Sequence, residues 1–477
     1  MKKNYIAPNR VWICVVLMLA AVFSAAAQGR TSIKMVEEPL FKAESESDLQ
    51  SIEVSRKEQI AEAIPSINLV GISASKKSLV LGVLANIVRE KAYGLQIGGL
   101  YNHFGMGGGL AVGGLLNTTS TSYHGVQVGG LANIVREKAY GLQIGGLYNH
   151  FGMRGGLAVG GLLNTTSASY YGVQVGGLAN IVREKAYGLQ IGGLCNHAGM
   201  GGGLAVGGLL NTTSASYYGV QVGGLGNISK DVAGLQVGGL LNSTKNFYGL
   251  QITGVMNVAQ DSYGLQLAGV ANIARGNVYG LQLAGVTNVA KDIYGLQFAG
   301  VVNIAKEAKG VQFASILNVA EKSDFPIGLI NIIRNGEKGV AFTYDILGNS
   351  MVAFRSGGRY AYGILGLGYN QHLTEKIVAE AGYGIHIPLC RGLQVNNELK
   401  ATAPINTSST NFSYLLSPSV TLWKHFNLFG GPSINFFMSD TAEPVRLLPK
   451  HTLWDKKSGE GARSLYIGYQ AGVQYIF

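Results

Sequence analysis

The chain has 477 residues, of which 47% are hydrophobic and 13% charged, with 70 glycines and 10 prolines. A disordered chain would be highly charged and poor in apolar residues, so this composition excludes that class. The formal net charge of +11 does not indicate a nucleic-acid partner, because basic and acidic residues are mixed, as in Arg89-Glu90-Lys91, and no basic stripe with stacking aromatic residues is present.

Residues 1–27 have the pattern of a secretory signal peptide. Lys2 and Lys3 supply the positive start, Val11 to Phe23 form a short apolar run, and Ala25-Ala26-Ala27 provides a small-residue cleavage site. The run is too short for a transmembrane helix, and no apolar stretch of about twenty residues follows it. We therefore expect the mature chain to leave the cytoplasm without a membrane helix.

Residues 28–65 are polar and charged. This composition predicts a linker between the signal peptide and the folded part of the chain, with a helix near Asp48 to Ala63.

Residues 66–335 form an internal repeat in which one asparagine returns every fifteen or sixteen residues. The column contains Asn86, Asn102, Asn117, Asn133, Asn149, Asn164, Asn180, Asn196, Asn211, Asn227, Asn242, Asn257, Asn272, Asn288, Asn303 and Asn318. A longer period of roughly forty-seven residues is superimposed, since Gly94–Tyr140 recurs almost letter for letter as Gly141–Tyr187. Such periodicity indicates a repeat architecture in which each unit contacts mainly its neighbours.

One unit of the repeat is built from short strands. Leu281 and Leu283 alternate with Gln282, a period of two that is typical of β-structure. A second alternation begins near Asn288, and polar turns such as Lys291-Asp292 separate the units. We predict a parallel β-solenoid of about 16 coils, in which stacked asparagine amides bond to one another and to the turn backbone at one corner of each coil.

A single large transmembrane β-barrel is the alternative fold for these residues. Each unit would then be one spanning strand, and the tyrosine column, which includes Tyr248 and Tyr263, would form an aromatic girdle. Antiparallel neighbours would not stack identical columns, however, and every connection would be equally short. These two arguments favour the solenoid.

Residues 336–477 predict a small antiparallel β-barrel. The predicted strands are Gly339–Asp345, Met351–Arg355, Tyr360–Tyr369, Ile377–Ile387, Leu393–Ala403, Phe412–Leu422, Phe426–Met438 and Leu465–Phe477. About eight strands match the smallest outer-membrane barrels. The last strand ends in an alternating apolar face and the terminal aromatic Phe477, which resembles the assembly signal of outer-membrane proteins of Gram-negative bacteria. A soluble barrel or sandwich with the same buried face is the alternative.

The repeat unit also resembles that of a group of bacterial surface-repeat proteins associated with the outer membrane of Gram-negative bacteria. Their unit reads Gly-Leu/Val-Gln-apolar-Gly/Ala-Gly-apolar-x-Asn, and the likeness extends from about Leu81 to Asn335. The resemblance implies a surface or outer-membrane location and no defined biochemistry.

Motifs of catalysis and of cofactor or metal binding are not found in the sequence, so we predict no catalytic, cofactor-binding or metal-binding residues and no cofactor. His103, His150 and His197 recur every third coil, roughly 14 Å apart at strand spacing, which is too far to share a metal. We interpret them as exposed turn histidines. Cys195 and Cys390, the cysteines left after signal removal, are compatible with a disulfide, with free thiols or with a metal site, in falling order.

These observations predict a non-enzymatic cell-surface protein. The barrel would bind outer-membrane lipid, and the solenoid would serve as a stalk, a scaffold or an adhesive surface for a repetitive partner such as a glycan or another surface protein. The alternatives are an outer-membrane channel formed by one large barrel and a carbohydrate-cleaving β-helix enzyme.

Overall fold

The computed structural model describes residues 53–57, 59, 65–405, 408–440, 445, 447–449, 451–458 and 461–477. The predicted signal peptide lies outside these residues. The chain divides into two compact units, Met1–Ala61 and Glu62–Phe477. In the first, residues 53–57 and 59 are helical, within the predicted helix near Asp48 to Ala63. Among the described residues, no helix has the length and apolar character needed to cross a bilayer.

The second unit begins with a solenoid of parallel strands. Its strands are β1 (Ser66–Ser73), β2 (Val80–Gly98), β3 (Tyr101–Gly113), β4 (Leu116–Thr119), β5 (Tyr123–Gly129), β6 (Ala132–Gly145), β7 (Tyr148–Gly160), β8 (Leu163–Thr166), β9 (Tyr170–Gly176), β10 (Ala179–Gly192), β11 (Cys195–Gly207), β12 (Leu210–Gly223), β13 (Gly226–Gly238), β14 (Leu241–Ser243), β15 (Asn246–Thr253), β16 (Met256–Ala259), β17 (Asp261–Ala268), β18 (Ala271–Ala274), β19 (Asn277–Ala284), β20 (Thr287–Val289), β21 (Asp292–Ala299), β22 (Val302–Ile304), β23 (Glu307–Ala314), β24 (Leu317–Ala320), β25 (Lys322–Ile327) and β26 (Ile330–Ile333).

In the C-terminal part of the solenoid each coil contributes one long and one short strand, whereas in coils such as those of β3 and β11 the two parts form one continuous strand. The long strands β15, β17, β19, β21 and β23 pair in parallel along one face, and the short strands β16, β18, β20, β22 and β24 pair along the other. The predicted solenoid is confirmed, and the large transmembrane barrel is wrong because such barrels need antiparallel neighbours. The solenoid has about 18 turns rather than 16, since β1 and β26 add one coil at each end.

The solenoid interior is narrow and partly polar. In one coil the inward side chains are Gln282, Ala284, Asn288, Ala290 and Ile293, all of them buried. The leucines on either side of Gln282 point outward, and Leu283 is 46% exposed. Small residues let the two faces approach each other, and the amides find partners in the neighbouring coils.

Glycine is required where the stacked backbones come closest. Gly280 has φ of +141°, in a region that side-chain-bearing residues rarely adopt. A Cβ added at Gly280 would overlap the carbonyl oxygen of Gly264 in the coil below. The same contact recurs between Gly280 and Gly295, so the glycine column permits the close, in-register stacking of the long strands.

The second part of the unit is an antiparallel barrel. Its strands are β27 (Lys338–Asp345), β28 (Ser350–Gly357), β29 (Ala361–Tyr369), β30 (Ile377–Cys390), β31 (Leu393–Pro404), β32 (Thr410–Trp423), β33 (Phe426–Ser439), β34 (Trp454–Ser458) and β35 (Gly461–Ile476). Strand β35 pairs with both β33 and β27, which closes a barrel of eight strands. All eight correspond to predicted strands. The sequence did not predict β34, which pairs with the first residues of β35.

The last coil of the solenoid packs directly against the barrel. Asn331 of β26 donates from its side chain to the carbonyl oxygen of Ser356 in β28, at 2.9 Å. Its backbone N–H donates to the Ser356 hydroxyl oxygen, also at 2.9 Å. At Gly363 of β29, a Cβ would overlap the carbonyl oxygen of Gly328. The barrel therefore takes the place of a further coil and satisfies polar groups that the solenoid end would otherwise leave unpaired.

Candidate functional site

The asparagine column forms a continuous ladder of side-chain amides. From Asn86 to Asn331, each amide nitrogen donates to the side-chain oxygen of the next asparagine over 2.8 to 3.1 Å. The predicted ladder is confirmed. Its amides are buried and committed to one another, so the ladder supports the fold and offers no binding group to a ligand.

A second ladder, of glutamines from Gln221 to Gln312, runs beside the C-terminal part of the asparagine ladder. Gln297 donates to Gln282 at 2.8 Å and Gln282 to Gln266 at 2.9 Å, in the opposite direction along the chain to the asparagine bonds. The period-two pattern placed glutamine and leucine on opposite sides of the strand, but it did not predict that glutamine would be buried. The repetition of glutamine in one column was the signal that could have identified it.

The corner that follows each short strand carries the charge of the solenoid. Between Val80 and Ala320, all Asp, Glu, Lys and Arg residues except Arg154 and Lys309 lie in or next to the segment that links a short strand to the next long strand. Lys291 and Asp292 are one example, and Lys306 stacks on Lys291 by a backbone hydrogen bond of 2.6 Å. We call this edge the charged corner.

The opposite corner, which follows each long strand, is apolar. Its outward residues are Leu84, Leu100, Leu115, Leu131, Leu147, Leu162, Leu178, Leu194, Leu209, Leu225, Leu240, Val255, Val270, Val286, Val301 and Ile316. All but Val301 are between 38% and 51% exposed. We call this column the apolar ridge. Its sixteen coils span roughly 70 Å at the usual spacing between strands.

Tyrosines form a stacked column on the long face, next to the charged corner. The rings of Tyr248 and Tyr263 have centroids 4.7 Å apart, those of Tyr263 and Tyr279 are 5.0 Å apart, and those of Tyr279 and Tyr294 are 4.7 Å apart. The Lys309 ammonium group lies 5.0 Å from the Tyr294 ring centroid and covers that end of the stack. The ring faces of Tyr263, Tyr279 and Tyr294 are therefore occupied by neighbours, and their ring edges meet solvent.

The repeated histidines are not exposed turn residues, so that prediction is wrong. His103 lies within β3, half-buried, with Nδ1 2.8 Å from the Thr118 hydroxyl oxygen. His150 makes the equivalent contact with Thr165 at 2.8 Å. Burial, and secondarily the positive charge of Arg136, lowers the pKa of His103 below its ordinary value. The stacking of threonine in the next coil on each histidine explains this arrangement.

The two described cysteines are not joined in a disulfide. Cys195 and Cys390 are free thiols. Across the part of the chain that the structure describes, no group of three His, Cys, Asp or Glu side chains is placed to hold a metal ion.

The barrel lumen holds buried ion pairs. Arg355 and Glu398 approach to 3.0 Å, and both side chains are almost fully buried. Tyr362 donates to Glu398 at 2.7 Å, and the Arg355 guanidinium lies 4.1 Å from the Phe429 ring centroid. A second pair, Lys400 and Glu380, is 2.9 Å apart, and Lys400 also contacts Gln470. Sequence reasoning missed these residues, although charged side chains on one face of an alternating strand were the available signal.

The outer surface of the barrel wall is apolar. Along β32 the outward side chains are Phe412, Tyr414, Leu416, Pro418, Val420 and Leu422, and the inward ones include Asn411, Ser413, Ser417 and Ser419. Exposed apolar residues continue on the neighbouring strands, for example Leu399, Ile434 and Ile467. The barrel thus has an apolar exterior around a lumen of mixed character, in which these polar groups lie beside buried apolar side chains such as Met351, Ile364 and Leu415.

The barrel lumen is filled by its own side chains. Cavities there measure about 20 Å³, beside Leu347 and Asn370, and about 10 Å³, beside Lys400 and Tyr466. Each has room for about one water molecule. A lumen filled by side chains is typical of eight-stranded barrels.

Comparison with known protein families, characterised proteins and solved structures finds no match for this chain. Its own architecture identifies it as a β-solenoid repeat protein with asparagine ladders, continued by a small antiparallel barrel.

Proposed function

We propose that this protein is an outer-membrane surface protein in which the barrel is the membrane anchor and the solenoid is a non-enzymatic scaffold. The observation that carries the proposal is the apolar exterior of the barrel around a lumen that contains Arg355, Glu398 and Lys400. Water-soluble barrels bury apolar side chains inside. Barrels in lipid place them outside, since lipid is then the solvent of the wall.

The height of the apolar wall supports this assignment. The outward residues from Phe412 to Leu422 span roughly 33 Å along β32 at the usual rise per residue. With a strand tilt of about 40°, this corresponds to a band of roughly 25 Å, the value typical of outer-membrane barrels. Near one end of the wall, Trp423, Phe426 and Tyr475 form an aromatic cluster with ring centroids 6.2 and 5.1 Å apart. Aromatic clusters at this position are typical of the membrane interface.

A scaffold role for the solenoid is supported by the repetition of its side chains. The amides of the interior are used for stacking, and the exterior columns repeat the same residue types from coil to coil. An active site needs a unique constellation of groups, whereas a regular surface suits a repetitive or extended partner. Glycans and other surface proteins are the partners that we propose for the solenoid. We propose no catalytic residue.

The proposal is tested by a matched pair of substitutions on one strand. Leu416→Arg places a charge at the centre of the wall, and Leu422→Arg places the same charge near its rim. In lipid vesicles, the first should lower the free energy of unfolding by about 2–4 kcal/mol and the second by about 0–1 kcal/mol, because the cost depends on depth in the bilayer. Urea unfolding of the full chain reconstituted in vesicles measures both values.

A soluble barrel would give a different result. Both positions would then face water, and both arginines would change the free energy of unfolding by no more than about 0.5 kcal/mol. Equal effects at the two positions, together with release of the wild-type chain from membranes by alkaline carbonate, would overturn the anchor proposal.

A further inference from the structure

The exterior of the solenoid is graded from polar to apolar around each coil. In the coil of β21, Lys291 and Asp292 lie at the charged corner, Tyr294 follows on the long face, Leu296 and Phe298 come next, and the apolar ridge follows. Charge, then tyrosine, then aliphatic residues is the order that a membrane interface selects from water to hydrocarbon. The same order recurs in neighbouring coils because the coils stack in register.

The apolar ridge ends against the barrel wall. Ser315, next to Ile316 of the ridge, accepts a hydrogen bond through its carbonyl oxygen from the Tyr383 hydroxyl of β30, at 3.5 Å. Phe313 of the long face packs on Tyr383 with ring centroids 6.4 Å apart. Tyr383 is an outward residue at the middle of β30, so the contact is made on the surface that faces lipid in the proposed function.

The height of this contact on the wall places the end of the ridge, at Ile316, within the apolar band. Beyond Tyr383, β30 continues with Ile385, Ile387 and Leu389, which are between 45% and 60% exposed. Its neighbour β29 begins at Ala361, paired with Ile385. The solenoid coils packed beside Tyr383 therefore lie near the height of these side chains. Lipid that surrounds the side chains also reaches those coils.

We propose that the solenoid lies along the membrane with its apolar ridge inserted into one lipid leaflet, its tyrosine column at the headgroup level and its charged corner in water. This inference rests on the proposed function, since it takes the barrel wall as the lipid-facing surface. Backbone hydrogen bonds run between coils along the solenoid. Between the terminal coils the ridge therefore enters hydrocarbon without exposing an unpaired sheet edge, a requirement for structure in lipid.

The surface chemistry favours lipid over a sugar ligand on the long face. Sugars bind aromatic side chains through the ring faces, but the faces of Tyr263 and Tyr279 are covered by their neighbours in the stack. Ring edges and hydroxyl groups beside an aliphatic surface are instead suited to the interfacial region of a bilayer.

The test uses one fluorescent label on each of three variants of the full chain. The background carries Cys14→Ser, Cys390→Ser and Cys195→Tyr, the last being the residue type found at the equivalent Tyr101 and Tyr148. Single cysteines replace Leu225 on the ridge, Lys230 at the charged corner of the same coil, and Leu416 on the barrel wall. Each is labelled with an environment-sensitive nitrobenzoxadiazole dye and reconstituted into phosphatidylcholine–phosphatidylglycerol vesicles that carry spin-labelled acyl chains.

The expected result is a blue-shifted emission at positions 225 and 416 that spin-labelled lipid quenches about twofold, as for groups buried in the acyl region. Emission at position 230 should be quenched by aqueous iodide and unaffected by the lipid quencher. Quenching by lipid at 416 but by iodide at 225 would overturn the ridge inference and leave the anchor intact. Protection of 225 from both quenchers would also overturn it and indicate a second copy of the chain on the ridge. Iodide quenching at 416 would refute the anchor itself.

Discussion

The side-chain amide of Asn288 donates to the side-chain oxygen of Asn303, 3.0 Å away, and to the backbone carbonyl of Phe298, 2.7 Å away. Both acceptors lie in the next coil, where Phe298 and Asn303 flank the same corner, so one amide joins its coil to the next at two points. Asn272 donates to Asn288 in turn, at 2.9 Å. Each asparagine is therefore both a donor and an acceptor in the ladder, and a break at one coil leaves polar groups unpaired in two others.

Replacing Asn288 by alanine should destabilise the solenoid by about 2–4 kcal/mol, because it leaves the Phe298 carbonyl and the Asn272 and Asn303 amides without their partner. Guanidinium unfolding of the full chain, followed by far-ultraviolet circular dichroism, measures the loss. Lys291→Ala in the same coil is the control, since that side chain is exposed and its change should stay within about 0.5 kcal/mol. Similar effects of the two substitutions would contradict a structural role for the ladder.

Gly280→Ala should prevent normal stacking at that coil. The methyl group would meet the Gly264 carbonyl oxygen, and φ of +141° is unfavourable for alanine. Gly155→Ala is the matched control, because its added Cβ would come no closer than 3.4 Å to its nearest neighbour, the Tyr171 carbonyl oxygen. Hydrogen exchange measured by mass spectrometry should show loss of amide protection around residue 280 and native protection around residue 155. Native protection at both sites would show that the glycine column is dispensable.

Glu398→Ala should destabilise the barrel by about 3–5 kcal/mol, because it leaves the buried Arg355 charge without its partner. The double variant Arg355→Met, Glu398→Leu should recover most of that loss, since no charge then remains unpaired. Urea unfolding in vesicles compares the two variants, with Glu375→Ala as an exposed control. If the single and double variants are equally unstable, the ion pair does not account for the effect.

The pKa of His103 should lie below the 6.5 of a free histidine, mainly because burial disfavours the charged ring and secondarily because Arg136 repels it. The unfolded chain then binds the proton more readily. This contribution leaves stability unaffected above pH 6.5, and stability falls as the pH decreases from 6.5 to the folded-state pKa.

Nuclear magnetic resonance titration of the histidine ring protons tests this assignment. Arg136→Gln should raise the pKa of His103 only part of the way to its ordinary value, because burial is the larger cause. His150, whose charged neighbour is Arg183, should keep its pKa in the same variant and serves as the internal control. A pKa of His103 above the ordinary value would contradict its placement in β3.

The sequence by itself determined the repeat, the register and the strands of the barrel. A period of fifteen or sixteen residues with one asparagine column favours coils that place like residues on one another, and the structure pairs Asn288 with Asn272 and Asn303 accordingly. The barrel strands were predictable because their alternation has a period of two and turn residues separate them.

Only the tertiary structure decided which side of each strand is inside. Alternation puts Gln282 and Leu283 on opposite faces but does not say which face is buried, and an isolated strand would pay a high cost to bury the amide. Stacking gives Gln282 a partner in the coil below, Gln266, so the amide can be buried and the leucine is left outside. The Arg355–Glu398 pair likewise joins residues 43 positions apart, a contact that exists only after the barrel closes and that no local pattern specifies.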